Sequence, residues 1–115
     1  MPRESLVRLQ AERLRDVVST VKERVPLYRD RLAGVEPASI ESVEGVRSLP
    51  FTRKSDLRDT YPDGLFAVPR EQITRLHASS GTTGKPTVVG YTTGDLAFSR
   101  SSWRGAWRWP ARRRA

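Results

Sequence analysis

A polar loop separates two stretches that carry the sequence signature of β-strands. The first stretch, Ile73 to His77, and the second, Thr87 to Tyr91, alternate and are rich in strand-forming residues. The intervening segment, Ala78 to Pro86, is dense in hydroxyl side chains and glycines, which are typical of turns. This order predicts a β-hairpin whose strands hold the loop at one end.

Helical patterns occupy the chain before the hairpin. An apolar stripe with spacings of 4, 3, 4, 3 and 4 residues predicts a first helix, which Pro26 ends because proline disfavours helical geometry at the preceding residue. A short second helix is predicted over Leu27 to Ala33 and closed by Gly34. Thr52 and Thr93 are predicted to cap two further helices. The fold class is therefore α+β, with N-terminal helices followed by a strand–loop–strand hairpin. The stripe consists of Val7, Ala11, Leu14, Val18, Val21 and Val25.

Length and composition exclude several classes of protein. A chain of 115 residues has the size of one small domain. The absence of cysteine rules out disulfides, thiolate metal sites and a cysteine nucleophile, and a single histidine, His77, rules out a His-rich metal cage. The charged N-terminus is no signal peptide, and no stretch approaches the roughly 18 apolar residues of a membrane span. We therefore expect a cytoplasmic protein with no membrane partner.

The charge of the chain is concentrated at its C-terminal end. Residues 1 to 97 hold 15 Lys and Arg together with all 13 Asp and Glu. Residues 98 to 115 hold six Arg and all three Trp, without any acidic residue. This change of composition divides the chain into a unit at 1–97 and a basic Arg/Trp tail at 98–115.

Three interpretations of the tail remain open. It can be an arm that pairs with phosphates and stacks on bases, or a segment that places Trp and Arg at a membrane surface. Alternatively, it is a disordered or out-of-frame product, since the sudden loss of acids with a gain of Arg, Ser, Trp and Pro is typical of GC-rich DNA translated in the wrong frame. We favour the last interpretation, and a small basic nucleic-acid-binding module is the alternative function that follows from the first.

The loop has the chemistry of a phosphate-binding segment. Glycines allow backbone N–H groups to approach an anion closely, hydroxyls add donors, and the lysine adds a positive charge. The loop differs from a Walker A motif, which has four residues between its glycines and Ser or Thr after the lysine. A flexible hairpin turn is the alternative interpretation. The candidate phosphate-binding residues are Ser79, Ser80, Gly81, Thr82, Thr83, Gly84 and Lys85.

The exact amino-acid sequence of the loop resembles a motif of a known enzyme family. Ser79-Ser-Gly-Thr-Thr-Gly-Lys-Pro86 resembles the phosphate-binding signature of adenylate-forming enzymes. The longer stretch from Leu76 to Thr92 is similar to that of phenylacetate-CoA ligases, as are Val25 to Leu32, Leu49 to Pro69 and the opening helix. The resemblance covers about residues 5 to 96. Sister ligases that act on other aryl acids, including coenzyme F390 synthetase-like proteins, share much of this pattern.

The resemblance implies an activity and its reactants. Such enzymes join phenylacetate, or a similar aryl acid, to ATP, releasing pyrophosphate, and the thiol of coenzyme A then displaces AMP from the acyl adenylate. It also implies Mg²⁺ beside the triphosphate, and it is compatible with a homodimer of the intact enzyme. Segments of the family with catalytic residues, including its catalytic lysine, lie further along than this chain reaches. We therefore expect this chain to be the N-terminal fragment of a large adenylation domain. We expect no catalytic residue and no metal ligand in the fragment, and no activity of the fragment alone. His77 is expected to be a positioning or packing residue.

Overall fold

The computed structural model describes residues 2–80 and 84–106. In this part of the chain, four α-helices accompany one two-stranded antiparallel sheet. Short 3-10 turns at Pro37–Ser39, Val43–Ser48 and Arg70–Gln72 lie in the connections. The predicted α+β order is confirmed: helices come first and the hairpin follows. The elements are α1 (Arg3–Arg24), α2 (Pro26–Arg31), α3 (Lys54–Asp59), β1 (Ile73–Ala78), β2 (Val88–Thr92) and α4 (Thr93–Ala106).

The apolar stripe of α1 faces the interior, as its spacing predicts. Ala11 and Val18 are buried, and Leu14 and Val21 pack partly buried on the same side. Only the N-terminal end of the stripe departs from this pattern, because Val7 is 39% exposed. The helix is therefore held from its middle to its C-terminal end.

A small apolar core joins α1 to the segments that follow it. Val18, Leu32 and Ile40 form one buried cluster, and Val25 at the bend between α1 and α2 is 1% exposed. Val25 is extended and Pro26 begins α2 directly after it, which confirms the predicted end of α1. Because each buried aliphatic side chain contributes about 1.5–3 kcal/mol, this cluster is the main link between the N-terminal elements.

The predicted C-terminal cap of α2 is wrong. The helix ends at Arg31, and Leu32 is its C-cap residue. Gly34 does not adopt the left-handed conformation of a capping glycine, since Gly84 is the residue of the described segments with positive φ. The chain instead leaves α2 through tight turns, in which the N–H of Val35 donates to the carbonyl oxygen of Leu32 at 2.9 Å. Burial of Leu32 in the core sets this path, and such turns need no left-handed residue.

A carboxylate ties α2 to α3. The guanidinium of Arg31 donates two hydrogen bonds to the carboxylate of Asp56, at 2.7 and 2.8 Å. The same carboxylate accepts the N–H of Arg53 at 2.7 Å, so Asp56 also caps the helix it belongs to. The hydrogen bonds from Arg31 and, to a smaller extent, the hydrogen bond from the Arg53 N–H lower the pKa of Asp56 to about 2. The predicted cap, Thr52, lies one residue too early, and its hydroxyl contacts the hydroxyl of Tyr28.

The hairpin packs on the segment that precedes it and leads directly into α4. The ring of Phe66 lies against Gly90 in the middle of β2. At the end of β2, the Asp95 carboxylate accepts the N–H of Thr92 at 2.8 Å, and the Asp95 N–H donates to the Thr92 hydroxyl at 3.2 Å. This reciprocal pair is a capping box, so α4 is capped by Thr92 and the predicted cap, Thr93, is the first residue of the helix.

We expect Gly64→Ala to loosen the turn after α3. A Cβ at this position would lie 2.7 Å from the carbonyl oxygen of Thr60 and 2.8 Å from its Cβ, and a backbone atom cannot move aside without deforming the turn. Overpacking of this kind costs about 1–3 kcal/mol. Amide hydrogen exchange of Phe66, whose N–H donates to Asp63, should accelerate accordingly. Gly34→Ala is the control, because a Cβ there meets nothing within 4 Å; equal effects of the two substitutions would contradict the prediction.

We expect the carboxyl group of Asp56 to titrate with a midpoint near 2 in carbon-detected NMR. Because this pKa is lower in the folded chain than in the unfolded one, the Arg31–Asp56 pair stabilises the fold above the unfolded pKa of 3.8. That stabilisation is lost as the pH falls towards about 2. Arg31→Gln should raise the pKa of Asp56. Arg29→Gln is the matched control, since its guanidinium donates to the backbone oxygen of Glu23, and an unshifted midpoint in Arg31→Gln would refute the assignment.

Candidate phosphate-binding loop

The two strands pair in a register that brings the ends of the loop together. Ala78 at the end of β1 lies opposite Val88 at the start of β2. One position further on, the N–H of Ser79 donates to the carbonyl oxygen of Thr87 at 3.0 Å. The pairing therefore extends one residue pair beyond the strands and forms the neck of the loop, which we define as Ser79 and Thr87.

Side-chain contacts reinforce the neck. The hydroxyl oxygens of Ser79 and Thr87 lie 2.6 Å apart, and the N–H of Thr87 donates to the Ser79 hydroxyl oxygen at 3.3 Å. Thr87 is half-buried, whereas Ser79 is exposed. Sequence reasoning missed the role of Thr87, because only the register of the strands shows that it faces Ser79.

The described part of the loop is open to solvent. Ser80, Gly84 and Lys85 are all exposed. Gly84 has a φ of +114°, a conformation that glycine adopts without the strain of a Cβ, and a Cβ there would meet nothing within 4 Å. The reason for glycine at this position is thus its backbone conformation. Three predicted site residues, Gly81, Thr82 and Thr83, lie outside the described residues.

His77 contacts an aromatic ring on the neighbouring strand. Its ring centroid lies 5.0 Å from that of Tyr91, with an edge-on angle of 60° between the planes. Such a geometry is favourable for aromatic pairs. The contact agrees with the predicted packing role of His77, two residues before Ser79.

The charged side chains of the loop favour an anion as its ligand. Segment 79–85 contains one lysine and no acidic side chain. Within residues 2–80 and 84–106, no group of three or more His, Asp or Glu is placed to hold a metal ion. The helices described for this chain include none long and apolar enough to cross a membrane. Hydroxyl, amide and ammonium donors without a competing carboxylate form an arrangement suited to an anion.

The basic tail overlaps α4. The helix continues past the predicted boundary after Ala97 and ends at Ala106. Residues 107–115 lie outside the described residues. The division of the chain into 1–97 and 98–115 therefore stays a prediction.

The chain is similar in sequence to phenylacetate-coenzyme A ligases. It is 61% identical over 98 residues to the ligase of Thermus thermophilus, covering 84% of this chain and 22% of the relative. The corresponding values are 56% over 89 residues for Pseudomonas putida, covering 76% and 20%, and 50% over 95 residues for Escherichia coli, covering 81% and 22%. No family model matches the chain.

The fold is similar to part of a solved CoA ligase. The crystal structure of 2-hydroxyisobutyryl-CoA ligase in complex with 2-HIB-AMP and CoA matches with a TM-score of 0.74 and 31% identity, covering 90% of this chain and 24% of that one. The same enzyme in its postadenylation state matches with a TM-score of 0.72 and 29% identity, with the same shares covered. The chain thus spans about a fifth of the length of the curated relatives it matches. Within that span, the resemblance to phenylacetate-CoA ligases, and to the adenylate-forming CoA ligases among solved structures, is confirmed.

Proposed function

We propose that this chain forms the ATP-phosphate-binding part of a phenylacetate-CoA ligase. The observation that carries the proposal is the 61% identity to the Thermus thermophilus ligase, combined with a carboxylate-free loop at the end of a hairpin, whose described residues Ser80, Gly84 and Lys85 are exposed. Sequence similarity at this level supports a shared reaction. The loop supports the specific step in which a polyphosphate is held.

The loop residues suit a triphosphate by their chemistry. Lys85 places a flexible positive charge on an exposed segment, and Gly84 opens the backbone to an approaching anion. The hydroxyls of Ser80, Thr82 and Thr83 add neutral donors. Preorganised donors of this kind stabilise charge that develops on a leaving pyrophosphate.

The reactants of the proposed enzyme are phenylacetate or a similar aryl acid, ATP and coenzyme A. Mg²⁺ would accompany ATP and neutralise part of its charge; we assign no residue of this chain as its ligand. The chain spans about a fifth of the related ligases, and we propose that it does not turn over these substrates alone.

A chimera tests the proposal directly. The stretch of the Thermus thermophilus ligase that matches this chain is replaced by the part of the present sequence that aligns with it over 98 residues. Phenylacetate-dependent ATP–pyrophosphate exchange is then measured. The chimera should be active. Lys85→Ala should lower kcat/KM for ATP about 10- to 100-fold, the effect expected when one charge-assisted hydrogen bond is lost.

Lys54→Ala is the matched control, because it removes the same charge from an exposed position at the start of α3. It should leave the exchange rate within twofold. An inactive but folded chimera would contradict the proposed function, and equal losses in the two lysine variants would contradict the assignment of the loop. The 115-residue chain assayed alone should release no pyrophosphate.

A further inference from the structure

Ser79 and Thr87 contact each other across the hairpin. Their hydroxyl oxygens are 2.6 Å apart, and two further hydrogen bonds join the same two residues, at 3.0 and 3.3 Å. We propose that this pair is a latch that sets the width of the loop, and that both residues are positioning residues for ATP. The inference rests on the proposed function and divides the predicted site into a neck and a binding segment.

The register explains how a latch at this point acts on the loop. Ser79 and Thr87 continue the antiparallel ladder beyond Ala78 and Val88. Without them the hairpin would close a nine-residue loop over 79–87, and with them the loop shortens to residues 80–86. Fixing the two ends of a short loop restricts the conformations of its backbone, and a preorganised loop loses less entropy when it binds an anion.

The contacts of Ser79 argue against a primary role in holding phosphate. A serine hydroxyl offers one donor and two acceptor positions. The Ser79 oxygen already accepts the N–H of Thr87 and forms a hydrogen bond with the Thr87 hydroxyl, in which either group can be the donor. When Ser79 donates, it has no donor left for a phosphate. Thr87, which was outside the predicted site, is then as important for ATP as Ser79.

The opposite end of the hairpin offers a matched comparison. The hydroxyl oxygens of Thr74 in β1 and of Thr93, the first residue of α4, lie 2.9 Å apart, so they form a similar exposed hydroxyl pair away from the loop. Removing this second pair should weaken the hairpin in the same way without changing the neck.

The experiment measures KM for MgATP and kcat in the chimera with the Thermus thermophilus ligase. Cross-strand hydroxyl pairs have energies equivalent to at most about a fivefold change in an equilibrium constant. Ser79→Ala and Thr87→Val should each therefore raise KM for MgATP about three- to fivefold with kcat within twofold. The double variant should match Ser79→Ala, because that substitution already removes both the contact between the hydroxyls and the hydrogen bond from the Thr87 N–H. Thr87→Ser keeps a hydroxyl and should therefore retain the KM of the unsubstituted chimera. Thr74→Val should also leave KM for MgATP unchanged.

Hydrogen exchange gives a second readout that needs no activity. A peptide that covers the neck should exchange faster in Thr87→Val than in Thr87→Ser. An unchanged KM in Thr87→Val beside a raised KM in Ser79→Ala would overturn the latch and assign Ser79 to direct contact with ATP. An inactive chimera would contradict the proposed function. The hydrogen-exchange test of the latch would still apply in that case, and equal exchange rates in Thr87→Val and Thr87→Ser would overturn it.

Discussion

The antiparallel pairing of β1 and β2 is the constraint on which the site depends. Residues 79 to 85 have suitable chemistry for phosphate binding, yet a polar segment of this kind adopts many conformations unless its ends are fixed. The ladder from Ile73 to Ala78 fixes one end and its partner strand fixes the other. The contacts between Ser79 and Thr87 extend the pairing by one residue pair beyond the strands.

The other parts of the fold support the hairpin from outside. Phe66 packs against Gly90 in β2, and the capping box of Thr92 and Asp95 turns the chain from β2 into α4 without an intervening loop. Further away, the pair of Arg31 and Asp56 joins α2 to α3. A two-stranded hairpin is marginal on its own, so the contacts of Phe66 with Gly90 and of Thr92 with Asp95 contribute to keeping its strands in register.

The sequence predicts periodic elements better than their ends. The stripe of α1 is sufficient to predict the helix, because it reflects burial repeated over many residues. The two strands are predicted by their strand-forming residue types, although most of β1 is exposed. The predicted caps at Thr52, Thr93 and Gly34 are wrong, since an N-cap depends on a single side chain and a glycine C-cap on the backbone conformation of a single residue. Asp56 and Asp95 select the starts of α3 and α4 by reaching back three residues. The role of Thr87 depends on strand register, which the spacing of the strands alone does not define.

The central claim is that the segment between Ser79 and Thr87 holds the polyphosphate of ATP. A crystal structure of the chimera with a non-hydrolysable ATP analogue tests it most directly. The account predicts the β- and γ-phosphates within hydrogen-bonding distance of the loop amides and of the Lys85 ammonium, while the hydroxyls of Ser79 and Thr87 remain paired. A triphosphate bound elsewhere, with Lys85 directed into solvent, would contradict it.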